Sequence, residues 1–171
     1  MNFKGTPINF TLIFLCFFIL FAGCQQEVEA GPMAADFSLS DLSGKTVSLE
    51  QYRGKIVLLD FWATWCPPCR MTIPLLVDLQ EKYRKKGLVI LGISIDDPRQ
   101  VKDKDLLYYK KVSKINYPVL RFNQKAMQDY FSGEQLAVPT MFVIDRNGRI
   151  KDKIVGFQPE ALNKSLAAAI Q

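Results

Sequence analysis

The sequence predicts an α/β fold in which a mixed β-sheet is flanked by helices. Two apolar runs, Ile56–Trp62 and Leu88–Ile95, lack the alternation of half-exposed strands and suit central strands covered on both faces. Between them lies a stretch with helical spacing of apolar residues, opened by Pro67 and Pro68. The C-terminal third changes to strand, tight turn, strand and helix. Alternating strands and helices followed by a hairpin and a last helix give a sheet with both parallel and antiparallel neighbours.

The first 23 residues read as an export signal rather than as part of this domain. Lys4 supplies a positive start, Phe10 to Ala22 is apolar and uncharged, and the small residues Ala22 and Gly23 precede Cys24. At about 14 residues the apolar stretch is shorter than the roughly 20 of a spanning helix. An uncleaved membrane anchor is the alternative reading. Residues 24–34 form a polar tether and residues 35–171 a single domain without repeats or low-complexity stretches. Roughly 140 residues suffice for one hydrophobic core.

Within the domain, Asp36 to Leu39 and Thr46 to Leu49 alternate around Ser43-Gly44 and predict a small hairpin. After the strand at Ile56–Trp62, the helix beginning at Pro67 places Met71, Leu75, Leu79 and Tyr83, with Leu76, on its buried face. Pro74 should kink it and Gly87 ends it. Asp97-Pro98 has the character of a helix start, with Val101, Tyr108, Val112 and Ile115 as its apolar stripe. Tyr117 to Phe122 reads as a strand and Gln124 to Phe131 as a short helix. Thr140 to Ile144 and Ile150 to Val155 pair across the Asn147-Gly148 turn, and Leu162, Leu166 and Ile170 stripe the last helix.

The chemistry resides in Cys66-Pro67-Pro68-Cys69, directly behind the first central strand. Two thiols at a strand-to-helix junction can close a disulfide within one helical turn and exchange electrons with another disulfide. A zinc site normally takes four Cys or His ligands, and this chain has no His and no second Cys-x-x-Cys. Haem attachment fails because Arg70 stands where a histidine is needed. Of the four cysteines, Cys16 lies in the apolar signal and Cys24 at its end, so the domain keeps only Cys66 and Cys69. The net charge of +5 is a mild surplus, and Lys82 to Lys86 fall at a helix end where cations suit the dipole. No nucleic-acid partner is expected.

Four strings carry a resemblance to a known family: Ala35-Asp36-Phe37-Ser38-Leu39, Leu42 to Leu49, Phe61-Trp62-Ala63-Thr64-Trp65-Cys66-Pro67-Pro68-Cys69, and Val138-Pro139-Thr140 to Asp145. The chain resembles the thioredoxin superfamily, and within it the exported, membrane-tethered thiol-disulfide oxidoreductases called TlpA-like or ResA-like. The resemblance implies a thioredoxin-like fold carrying an N-terminal β-hairpin and a central insertion from Pro98 to Phe131. It assigns Cys66 as the exposed nucleophile, Cys69 as the resolving thiol and Pro139 as a cis-proline opposite the disulfide. Trp65, Pro67, Val138 and Pro139 would surround the bound substrate chain, with the Val138 backbone pairing with it. No cofactor beyond the Cys66–Cys69 disulfide is implied. The partners implied are protein disulfides or dithiols and a membrane electron donor that keeps the protein reduced, with cytochrome c maturation as one setting.

The end of the signal also resembles a bacterial lipobox, in which Cys24 is acylated and anchors the protein on the exported side of a membrane. Phe21 departs from the Leu usual at the first lipobox position.

Asp60 is a carboxylate inside an apolar strand, where it is costly unless paired or neutral. Burial should raise its pKa and let it exchange a proton with Cys69 through a water, and thioredoxins proper carry an Asp at the corresponding place. A carboxylate capping a local backbone N–H is the alternative. Thr72 stands where many relatives in cytochrome c maturation carry Glu, and Gly92 where thioredoxins carry Lys. Three other functions remain: a peroxiredoxin-type peroxidase, a metal-delivery module and a binding domain with inert cysteines. The first expects a Thr upstream of a lone reactive Cys, and Ala63 occupies that position. The second uses a wider cysteine spacing and a histidine.

Overall fold

The computed structural model describes residues 31–171. A two-stranded antiparallel ladder of β1 (Ser38–Ser40) and β2 (Thr46–Ser48) comes first. Its turn is closed by the Asp41 carboxylate, which accepts from the Ser43 and Lys45 N–H groups at 2.8 and 2.9 Å. There follow β3 (Ile56–Trp62), α1 (Pro67–Tyr83), β4 (Leu88–Ser94), α2 (Asp103–Val112), β5 (Val119–Arg121) and α3 (Gln124–Phe131). The chain closes with β6 (Thr140–Ile144), β7 (Ile150–Val155) and α4 (Pro159–Ile170). The main sheet has the order β5-β4-β3-β6-β7, with β3, β4 and β5 parallel and β6 and β7 antiparallel to their neighbours.

The unbroken apolar run of β3 serves two cores. Ile56, Leu58 and Trp62 face α1, α2 and α4, where they meet Ile73, Leu76, Leu106, Leu162 and Leu166. Val57, Leu59 and Phe61 face the N-terminal ladder and α3, packing with Leu39, Val47, Tyr130 and Phe131. Phe61, Phe131 and Phe142 pack edge to face there, with ring centroids 4.9 to 6.0 Å apart. This matches the aromatic geometry that adds to area burial.

Three expectations change. The buried face of α1 is Cys69, Thr72, Ile73, Leu76, Leu79 and Gln80, whereas Met71 is 56% exposed. A row stepping by four residues drifts about 40° per step, so Met71 and Tyr83 are about 120° apart and cannot share one face. The second helix starts at Asp103 rather than Pro98. The Asp97 carboxylate accepts from the Arg99 N–H at 2.8 Å, a local turn that competes with helix, and Asp105 accepts from the Lys102 N–H at 2.9 Å to start α2. With that phase Leu106 is buried, and Tyr108 and Val112 face outward. Thirdly, Pro32 to Ala34, read as the end of a tether, are bonded to the last hairpin. Ile150 N–H donates to the Pro32 carbonyl and Ala34 N–H to the Gly148 carbonyl, both at 2.9 Å.

Gln80 joins α1 to the sheet. Strand β5 is short and pairs with β4 only from Gly92 to Ser94, which leaves earlier backbone groups on that edge of β4 without a strand partner. The Gln80 amide supplies one: its Nε2 donates to the Leu88 carbonyl at 3.0 Å and its Oε1 accepts from the Ile90 N–H at 2.7 Å. Buried backbone groups need such partners.

Candidate active site at the Cys66–Cys69 disulfide

Residues 63–66 carry the chain from the end of β3 into α1. Cys66 is the N-cap residue of that helix, with extended backbone, and its Sγ accepts from the Cys69 N–H at 3.1 Å. Pro67 and Pro68 have no N–H, so Cys69 is the first later residue whose amide can reach the sulfur. The two cysteines form a disulfide with an S–S distance of 2.06 Å and Cα atoms 5.3 Å apart.

Across from the disulfide, the Val138 carbonyl oxygen lies 3.6 Å from Cys66 Sγ, and the Val138–Pro139 peptide is cis. Gly156 N–H, just after β7, donates to the Pro139 carbonyl at 2.7 Å and Thr140 Oγ1 donates to Ala137 at 2.7 Å, so this segment is tied at both ends. The expected exposure of Cys66 is absent. Cys66 is 2% and Cys69 1% exposed, because Cys66 Sγ is bonded on one side and faces Val138 on the other. Trp65 beside it is 60% exposed, and Pro67 is exposed as well.

The approach loop is gripped from two sides. Asp96, fully buried just after β4, accepts from the Thr64 hydroxyl at 2.7 Å, from the Thr64 N–H at 3.1 Å and from the Ser94 hydroxyl at 2.9 Å. Arg70, in the first turn of α1, donates through Nη2 to the Thr64 carbonyl at 3.0 Å. The Arg70 side chain is thus fixed to the loop that precedes Cys66 rather than free in solvent. Arg121 reaches Asp96 from β5, its Nη1 donating to the Asp96 carbonyl at 3.4 Å, and is itself held by the Val101 carbonyl at 2.6 Å and Asp103 Oδ1 at 2.7 Å.

Asp60 lies on the α1 side of β3, six residues before Cys66, and is 1% exposed. Among the described residues neither of its oxygens has a hydrogen-bond partner, so the alternative of a carboxylate capping a local N–H does not hold. Burial pushes its pKa up to about 7. Taking a carboxylate out of water disfavours the charged form, and among the described residues no neighbouring cation opposes that effect.

Residues 30–153 match the AhpC/TSA family. The chain is a thioredoxin-like member of the AhpC/TSA family. It is 36% identical over 132 residues to the thiol-disulfide oxidoreductase ResA of Geobacillus thermodenitrificans, spanning 77% of this chain and 72% of that protein. It is 34% identical over 132 residues to the thioredoxin-like protein YneN of Bacillus subtilis, spanning 77% and 75%. Among solved structures, a thiol:disulfide interchange protein of the thioredoxin family from Chlorobium tepidum superimposes with a TM-score of 0.72 at 30% identity, covering 85% of this chain and 99% of that one. With the Cys66–Cys69 disulfide in place, this AhpC/TSA member is a thiol-disulfide oxidoreductase on a thioredoxin-like fold.

The structure brings Cys66, Cys69, Trp65, Pro67, Val138 and Pro139 to one end of the sheet, with Asp60 beneath on the same face as α1. Cys24 and the stretch read as an export signal lie outside the described residues. Sequence reading missed Asp96, whose only signal was a second carboxylate directly before Asp97, and Tyr117, which read as the start of a strand.

Proposed function

We propose that this thiol-disulfide oxidoreductase acts as a reductant of exported protein disulfides, with Cys66 attacking and Cys69 resolving. The carrying observation is the placement of Cys66 at the N-cap of α1 with its sulfur on the Cys69 N–H. A thiolate there is favoured by the helix dipole and by that donor. In the reduced protein the Cys66 thiolate attacks one sulfur of the substrate disulfide, breaking its S–S bond and releasing the other sulfur as thiolate. Cys69 then loses its proton to Asp60 and attacks Cys66 Sγ. The second substrate thiolate leaves and the Cys66–Cys69 bond forms, so two electrons have passed to the substrate. The Val138 backbone and Pro139 hold the substrate chain beside Cys66, with Trp65 and Pro67 at its rim.

A membrane electron donor returns two electrons to the disulfide, and acylated Cys24 holds the protein on the exported side of the membrane. Cytochrome c maturation is the setting that the resemblance to ResA-like proteins implies. A Cys69→Ser variant should accumulate mixed disulfides through Cys66 and lose turnover in an insulin or glutathione-disulfide reduction assay. Trapped partners found chiefly on Cys66→Ser would reverse the two roles.

A further inference from the structure

Three buried polar groups have no hydrogen-bond partner among the described residues: the Asp60 carboxylate, the Trp62 Nε1–H and the Tyr117 hydroxyl. They converge on one place. Asp60 and Gly92 are opposite each other in the parallel β3–β4 ladder, so their side-chain positions share a face about 4.8 Å apart. A Cβ on Gly92 would lie 3.0 Å from Trp62 Nε1 and 3.1 Å from Tyr117 Cε2. Indole and phenol therefore fill, beside Asp60, the space that a larger residue at position 92 would need.

Tyr117 is delivered there by the segment between α2 and β5, and its backbone is held from two directions. Lys110 Nζ donates to the Tyr117 carbonyl at 2.8 Å, and Gly92 N–H donates to the Pro118 carbonyl at 3.0 Å. The residue is 2% exposed. An indole N–H only donates, an ionised carboxylate only accepts and a phenol does either, so the three groups are chemically complementary. Leaving each unpaired in a desolvated site would cost more than pairing them.

We propose that Tyr117 is a positioning residue for Asp60: when Asp60 ionises, the Tyr117 hydroxyl, unbonded in this structure and with the Trp62 N–H beside it, donates to the carboxylate directly or through a water and sets the pH at which Asp60 can take the proton of Cys69. The proposal deepens the reading of Asp60 as base and rests on it. The titratable groups beside this site are Cys66 and Cys69 at the start of α1 and Tyr109 and Lys110 of α2, whereas Arg70, Asp78, Glu81 and Lys82 of α1 and Asp103, Lys104, Asp105, Tyr108 and Lys111 of α2 are exposed. Tyr109 stacks on Trp62 with ring centroids 5.3 Å apart, and the Lys110 ammonium is bound to the Tyr117 carbonyl. On the flanking strands, Gly92 and Met141, the register partners of Asp60, do not titrate. Burial first, then the nearby Asp60 and Tyr109, hold the Tyr117 phenol well above its ordinary value, so it remains protonated and able to donate wherever Asp60 titrates.

The test is a carbon-13 NMR titration of the Asp60 carboxyl in the oxidised full-length protein, assigned with Asp60→Asn, for wild type, Tyr117→Phe and Gly92→Ala. Tyr117→Phe keeps the ring and removes only the donor. Its Asp60 midpoint should rise by about one pH unit or more, and the pH profile of the resolving step should move with it. Gly92→Ala, which pushes indole and phenol aside, should move the midpoint the same way. It decides the matter should Tyr117→Phe fail to fold. An unchanged or lowered midpoint in the folded variants overturns the pairing. If Asp60→Asn leaves the resolving rate unchanged while Tyr117→Phe still moves the midpoint, the base reading fails and the pairing stands.

Discussion

At the scale of single residues, Asp60 has two separable consequences. Asparagine preserves its size but cannot take a proton, so Asp60→Asn should slow the resolving attack by Cys69 and spare the initial attack by Cys66. General-base assistance is worth typically ~10²–10⁴-fold, and stopped-flow kinetics that separate the two steps would read it. Unchanged rates at every pH would make Asp60 structural. The second consequence is stability. The folded value of about 7 lies above the roughly 3.9 of an unfolded Asp. Between those values the folded chain keeps a proton that the unfolded chain releases. Wild-type stability therefore falls as pH rises from about 4 to about 7 and stays at the lower level above that. Asp60→Asn removes this dependence, so it should melt higher than wild type at pH 8, by on the order of 4 kcal/mol at most, and close to wild type at pH 4. Thermal melts of both proteins at the two pH values check the sign.

Among the secondary-structure elements, the weak point is the junction of α1 with β4. Where β5 stops, Gln80 takes over its pairing role toward Leu88 and Ile90. Gln80→Leu fits the apolar surroundings but leaves a buried carbonyl and a buried N–H unpaired. The expected loss is roughly 2–4 kcal/mol, read by urea unfolding, with the disulfide still able to form. A loss under about 0.5 kcal/mol would mean that water replaces the amide. A polar residue at this position of an amphipathic helix reads as solvent-facing. Nothing within α1 indicates how short β5 is, so this contact was not legible before the sheet was seen.

For the whole molecule, we propose an exported catalytic domain held to a membrane through its N-terminus. The apolar Phe10 to Ala22 segment and the Ala22-Gly23-Cys24 ending carry that reading, and Gln25 lacks the Asp associated in enteric bacteria with inner-membrane retention. Intact mass of membrane-extracted protein should show Cys24 as the acylated first residue. Residues 1 to 23 still attached would end the idea. Truncation should respect Pro32 to Ala34, whose bonds to the last hairpin make them part of the domain.

By itself the sequence determined the strands β3, β4, β6 and β7, the start of α1 at Pro67 and the disulfide pair. Each of these is written in neighbouring residues: apolar runs, turn chemistry at Asn147-Gly148, proline at a helix start, and two cysteines within one turn. Only the tertiary structure decided which face of α1 and α2 is buried, because helix phase depends on where the helix begins and on what packs against it. It alone joined Asp96 to Thr64, Gln80 to β4 and Tyr117 to the neighbourhood of Asp60. Those partners meet because crossovers bring distant segments to adjacent strands, and the burial that shifts the Asp60 carboxyl arises only once both faces of the sheet are covered.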